Sequence, residues 1–126
     1  MACSTEWKTM GVRWTLTGIV TGREINLVNL NIFQDRRFRS ISYQLMDFSG
    51  MKSLEATEKE VKKTAFQDMV AARSNPDIKV AMVAPQDLMK KMFEIYAEYT
   101  EPSQWETRMF ETIKDANQWL KSLGLV

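Results

Sequence analysis

Apolar and polar positions change period several times along the chain, and the changes divide it into strands and helices. Trp7-Lys-Thr-Met10 and Arg13–Val20 flank Gly11, and in the second run Trp14, Leu16 and Val20 alternate with Arg13, Thr15 and Thr17. Alternation of this kind marks half-buried strands, so a hairpin is expected to open a sheet. Thr21 with Glu24 three residues on has the form of a capping box, which predicts a helix through about Phe33. Ile25, Leu27, Leu30 and Ile32 fit neither period cleanly, and Asn26, Asn29 and Asn31 would sit equally well on the open face of a strand. Helix is preferred here because the next run reads as an inner parallel strand, which needs a crossover.

That run, Tyr43-Gln-Leu-Met-Asp-Phe-Ser-Gly50, stops abruptly at a hydroxyl and a glycine. It predicts a central strand delivering a polar, irregular loop, up to Thr57, to a helix start. Open α/β sheets place ligand or partner sites at such junctions. Thr57-Glu-Lys-Glu60 is a second capping box, and Val61, Ala65, Phe66, Met69 and Val70 recur at helical spacing after it. The helix is expected to end around Arg73–Asp77, with Asn75 as a left-handed cap and Pro76 blocking continuation.

Ile78–Ala84 shows little alternation, as suits a strand covered on both faces. Pro85–Leu88 opens a helix with a broad apolar face of Leu88, Met89, Met92, Phe93, Ile95, Tyr96 and Tyr99, stopped by Glu101-Pro102-Ser103. Gln104–Phe110 alternates as a last strand. Thr112 caps a last helix with Ile113, Ala116, Trp119, Leu120 and Leu123 inward and Gly124 at its end. The order β-β-α-β-α-β-α-β-α describes an α/β sandwich, with a mixed, mostly parallel five-stranded sheet flanked by four helices.

A chain of 126 residues fits one domain over its whole length, with residues 1–5 expected to be loose. A net charge of +1 creates no broad field for nucleic acid or an anionic membrane, so neither is expected as a partner. The densest positive cluster, Asp35-Arg-Arg-Phe-Arg39, reads first as a solvated connector with Phe38 tucked beneath it, and only second as a phosphate contact. Cys3 is the single cysteine, which rules out an intrachain disulfide or cysteine cluster. The N-terminal residues lack a signal-peptide run and no segment approaches the roughly 18 apolar residues of a membrane span, so a cytoplasmic location is expected.

The absence of histidine restricts the chemistry most. Acid/base and nucleophilic devices near neutral pH lean on imidazole, as do zinc sites without cysteine clusters. A hydrolase triad is excluded, no metal or cofactor is expected, and the sequence carries no phosphate-binding glycine loop. A non-enzymatic role is the leading expectation.

Asp47-Phe-Ser-Gly50 at a strand end, Ala72–Pro76 before Ile78–Ala81, Val83-Ala-Pro85, Trp105–Phe110, and Asp115-Ala with Trp119-Leu120 together resemble the bacterial SpoIIAA-like branch of the STAS-domain fold. The likeness runs from about Val12 to Gly124. It implies a small protein-binding regulator, such as the anti-sigma factor antagonists, which bind a partner-switching kinase and are turned off by phosphorylation of a hydroxyl after the central strand. In those proteins the strand-end Asp-x-Ser-Gly is followed by Asp-Ser-Ser-Gly. Counting without gaps from Asp47 reaches Glu55-Ala56-Thr57-Glu58, which keeps the acid and the second hydroxyl in kind and loses the first hydroxyl and the glycine.

The resemblance makes Thr57 the candidate phosphoacceptor and Asp47, Ser49, Gly50, Ser53 and Glu55 a candidate recognition loop for a protein partner. The plainer reading of Thr57 is a helix N-cap that contributes about 1 kcal/mol. Asp47 and Ser49 have plain readings as loop hydrogen-bonding groups, and Gly50 as a positive-φ turn residue. The wide face with Met89, Met92, Phe93 and Tyr96 reads by default as core packing; as an interaction face it suggests either a homodimer contact or, as the alternative function, a carrier site for a small apolar ligand or lipid between that helix and the sheet.

Overall fold

The alternating run near the start of the chain forms β2 (Gly11–Thr21), and much of the sheet is assembled along it. The computed structural model describes residues 2–100 and 105–126. β1 (Ala2–Trp7) pairs antiparallel with β2, from Ala2 opposite Thr17 to Trp7 opposite Val12. Residues 2–5, within the stretch expected to be loose, are therefore strand. β3 (Tyr43–Asp47) lies parallel to Gly11–Thr15, and β4 (Met51–Glu55) lies parallel to the stretch Gly18–Thr21 of the same strand. β5 (Lys79–Val83) and β6 (Glu106–Phe110) extend the sheet from β3, both parallel.

Among the described residues the mostly parallel sheet thus has six strands, in the order β1-β2-β3-β5-β6 with β4 paired to β2. The added strand is β4, which falls within the segment expected to be an irregular loop. Of its five residues only Met51 is buried, while Lys52 and Glu55 are exposed. So short and polar a strand carries almost no hydrophobic period, and the preceding Ser49-Gly50 reads as a turn.

Among the described residues four helices accompany the sheet: α1 (Gly22–Gln34), α2 (Glu58–Ala72), α3 (Gln86–Thr100) and α4 (Ile113–Ser122). Both expected capping boxes form: the hydroxyls of Thr21 and Thr57 accept from the amides of Glu24 and Glu60, whose carboxylates accept from the threonine amides. The choice of helix for Gly22–Gln34 holds, and the structure shows why its pattern was mixed. Asn26 and Asn29 are buried and face α2, where Asn26 accepts from the Thr64 hydroxyl and Asn29 donates to Asp68 at 2.8 Å. The inward face of α1 is partly polar.

Side chains of α1 to α3 pack with Val12, Trp14, Leu16, Met46, Val80 and Met82 on one face of the sheet. On the other, α4 covers Tyr43, Leu45, Ala81 and Val83 with Ala116 and Leu120. Phe38 is buried as expected, within a 3-10 turn at Arg36–Ser40. Arg37 of that turn is held by Asp35 and lies over the Trp7 ring, 4.4 Å from its centre. Asn75 is not a left-handed cap, since no non-glycine residue among those described has positive φ. Its side chain instead donates to the carbonyls of Phe38 and Ile41, and its own carbonyl accepts from Trp105 Nε1 at 2.7 Å. No described helix is long and apolar enough to cross a membrane.

Gly11 sits opposite Tyr43 in the β2–β3 ladder, and a Cβ there would lie 2.3 Å from the Tyr43 ring. Tyr43 is itself buried beneath α4, so the ring has little room to retreat. Gly11→Ala is expected to destabilise the fold by about 1–3 kcal/mol through overpacking. Denaturant titration of the two proteins checks this, and Gly124→Ala, where a Cβ meets nothing within 4 Å, separates overpacking from the strain of a positive φ.

Candidate functional site

The chain from β3 to Thr57 follows β2 in two steps. β3 runs beside β2 as far as Thr15 and stops; Phe48, Ser49 and Gly50 intervene, and β4 resumes pairing at Gly18. Register shifts between Gly18 and Ile19, and Gly18 takes φ 78°. The positive φ anticipated for Gly50 is therefore on the neighbouring strand. Gly50 serves close approach instead: a Cβ would meet Thr17 Cγ2 at 2.8 Å, and its carbonyl accepts from the Gly18 amide at 3.1 Å.

Asp47 and Phe48 fix this interruption from opposite faces. The Phe48 ring is buried edge-on to Trp14, with centroids 5.4 Å apart. Asp47 Oδ1 accepts from the Ser49 amide at 3.0 Å and the Ser49 hydroxyl at 2.6 Å, and Oδ2 accepts from Arg13 at 2.9 Å. Burial by itself raises the Asp47 carboxyl, but the bonds from Ser49 and Arg13 outweigh it and hold the group below the usual carboxylate range. These residues are bound up in shaping the chain. Ser53 is half-buried on β4 beside Ile19.

Beyond Ser53 the surface opens. Glu55 and Thr57 are exposed, and Glu55 pairs with Thr21, so β2 and β4 end together and deliver their helices side by side. The starts of α1 and α2 touch where Gly22 faces Glu60, and a Cβ on Gly22 would lie 2.8 Å from Glu60 Cβ. The Thr57 hydroxyl lies 3.1 Å from the Glu60 amide and 3.2 Å from its carboxylate, reachable from solvent yet engaged in the cap. Among the described residues, no three His, Cys, Asp or Glu side chains converge to hold a metal ion.

This succession of strands and helices is shared by known structures. An uncharacterised DUF3478-family protein from Shewanella loihica PV-4, with a SpoIIAA-like fold, superposes with a TM-score of 0.51 at 16% identity, covering 94% of this chain and 92% of that one. The anti-sigma factor antagonist SpoIIAA in its unphosphorylated form superposes with a TM-score of 0.57 at 14% identity, covering 99% of both chains. The fold is SpoIIAA-like. No family model matches the chain, and no curated protein matches it either.

Within this SpoIIAA-like frame, the described part of the broad α3 face turns inward, the core packing that was its default reading, and not outward for association. Tyr96 is buried and Met92 and Phe93 are half-buried, all three lining an apolar cavity against Trp14, Met46 and Met82. The side chains of Leu88, Met89 and Tyr99, and the stop expected at 101–103, lie outside the described residues. The cavity holds about 50 Å³. Ligand pockets run to about 300–1,000 Å³, so this is space for a few waters rather than for a carried lipid.

Beside the cavity lies a group absent from the sequence reading. Asp68 on α2 is buried, and its carboxyl accepts from Asn29 of α1 and from the Tyr96 hydroxyl of α3. The signal available in sequence was an acid within the apolar stripe of a helix, one turn from Ala65 and Ala72. Burial pushes the Asp68 carboxyl up to about 7, against the lowering effect of bonds from Tyr96 and Asn29, and the buried Tyr96 hydroxyl is pushed up in turn.

The folded protein therefore keeps Asp68 protonated over a range where the unfolded chain has lost the proton. Its contribution to stability is complete below the ordinary value of 3.8 and is lost as pH rises to about 7. Asp68→Asn removes the titrating group and retains the oxygen that accepts from Asn29. Melting temperature is expected to fall between pH 5 and pH 8 in the wild type and to vary distinctly less in Asp68→Asn, as thermal unfolding at each pH would show.

Proposed function

We propose that this SpoIIAA-like protein is a non-enzymatic, cytoplasmic module that binds a protein partner through the exposed end of β4 and the start of α2, with Thr57 as a phosphorylation-controlled switch. The observation that carries the reading is the Thr57 hydroxyl, exposed at the helix start directly after the strand that carries Glu55. It occupies the position that the resemblance to anti-sigma factor antagonists assigns to the regulated hydroxyl, and SpoIIAA itself has a structure recorded in an unphosphorylated form. Asp47, Ser49 and Gly50 act in this reading as the mounting, holding β4 at its offset on β2.

Phosphorylation would add roughly −1.5 to −2 charges at pH 7. The free amides and dipole at the start of α2 favour an anion there. The Glu60 carboxylate, now 3.2 Å from the hydroxyl, would be repelled from its cap, and exposed Glu55 and Glu58 add to the negative charge. The change stays at the surface and acts on the partner by repulsion and by the altered position of Glu60.

A pull-down with the wild-type protein identifies the partner, and titration then compares Thr57→Ala with Thr57→Glu. Thr57→Glu is expected to weaken binding on the order of tenfold, equivalent to about 1.4 kcal/mol. Thr57→Ala is expected to bind like the wild type while losing about 1 kcal/mol of stability from the cap. If both variants bind as the wild type does, Thr57 is only a cap.

A further inference from the structure

The apolar stripe read in α2 does not all point inward. Phe66 is 64% exposed and Val70 46%, and across the helix interface Leu27 and Leu30 of α1 are 53% and 40% exposed. The two helices run parallel, with Asn26 meeting the Glu60–Thr64 turn and Asn29 meeting Gln67 and Asp68, so these four side chains border one groove. Leu30 and Phe66 line two hollows in line along it. One, of about 330 Å³, reaches Phe33, Phe38 and Arg39; the other, of about 620 Å³, reaches Arg23, Leu27, Lys59, Lys62 and Lys63.

The charge at the second hollow breaks a local rule. Cations near a helix N-terminus oppose the macrodipole, yet Arg23 and Lys59 sit in the first turns of α1 and α2, and Lys62 and Lys63 follow closely. Of the carboxylates nearby, Glu24 and Glu60 are taken up in the caps of Thr21 and Thr57, and Glu58 pairs with Lys62. Arg23, Lys59 and Lys63 have no ion pair among the described residues. An apolar trough with an excess of cations at one end is left open on the surface.

We infer that the α1–α2 groove docks an acidic amphipathic helix of a partner protein. Two hollows divided by Leu30 and Phe66 suit apolar side chains from successive turns of a helix laid along the groove, and the cations at Arg23, Lys59 and Lys63 meet carboxylates on its flank. A second copy of this chain fits poorly, because it brings the same cations while its own nearby carboxylates are engaged. A bilayer fits poorly too, because the apolar side chains border a trough between two helices and do not crown a projecting face. The inference rests on the partner-binding reading but uses a different surface from the Thr57 hydroxyl.

The test places p-benzoylphenylalanine at position 66 in cells of the source organism, cross-links with light, and sequences the attached segment by mass spectrometry. The segment is then synthesised and titrated against wild type, Phe66→Asp, Lys63→Glu and Thr57→Glu. An acidic segment with apolar residues at helical spacing is expected, becoming helical when bound. Its affinity is expected to fall about tenfold or more in Phe66→Asp and in Lys63→Glu, and in the wild type on raising the salt. Both positions are on the surface, and unchanged melting temperatures would show that folding is intact. A cross-link to a second copy, a cross-link to lipid, no cross-link, or a segment that binds Phe66→Asp as well as wild type overturns the inference. Thr57→Glu, altered on a different surface, is expected to bind the segment as the wild type does; loss of binding in Thr57→Glu with none in Phe66→Asp sinks the groove and leaves the switch standing.

Discussion

Strand β2 has two successive parallel partners, β3 and then β4, and the architecture depends on the interruption between them. A chain leaving β3 would continue straight if nothing displaced it. The Asp47 carboxylate prevents this by accepting from the Ser49 amide and hydroxyl while Arg13 of β2 neutralises it. A buried, ionised carboxylate is stable only with such a full set of partners. Phe48 anchors the same interruption against Trp14 on the opposite face. With the offset fixed, β4 ends level with β2, and the starts of α1 and α2 are brought into contact at Gly22 and Glu60.

Helix caps and long apolar strands were plain in the sequence because each has a local physical cause. Thr21 and Thr57 with their glutamates mark helix starts without reference to anything distant, and the runs Tyr43–Gly50 and Ile78–Ala84 read as strands from their apolar content alone. Two features were not legible for the opposite reason. β4 is made a strand by its pairing with residues more than thirty positions earlier, from Gly18 opposite Met51 to Thr21 opposite Glu55. The inward side of α1 is set by Thr64 and Asp68 on another helix, which turns Asn26 and Asn29 from apparent surface residues into buried ones.

The candidate site was legible in part for the same reason. Thr57 was placed at an exposed helix start by its cap alone. The broad apolar face of α3 left open whether Met92, Phe93 and Tyr96 close over the sheet, as they do, or face a partner, while the apparently inward Phe66 and Val70 are exposed. Periodicity identifies a stripe but not which of two neighbouring elements will cover it. α2 lies between α1 and α3 and buries its alanines and Asp68, which leaves its larger apolar residues at the margin.

Parallel neighbouring helices align their dipoles unfavourably, and no long-range attraction holds α1 and α2 in register. Directional polar bonds from Asn26 and Asn29 do so, and they are buried between the helices, away from the side chains that border the groove. The positioning of the helices and the character of their outer surface are thus encoded by different residues. Descendants of such a chain are free to exchange Leu27, Phe66 or Lys63 without disturbing the backbone that presents them. A scaffold divided in this way lets its outer surface drift while foldability is inherited.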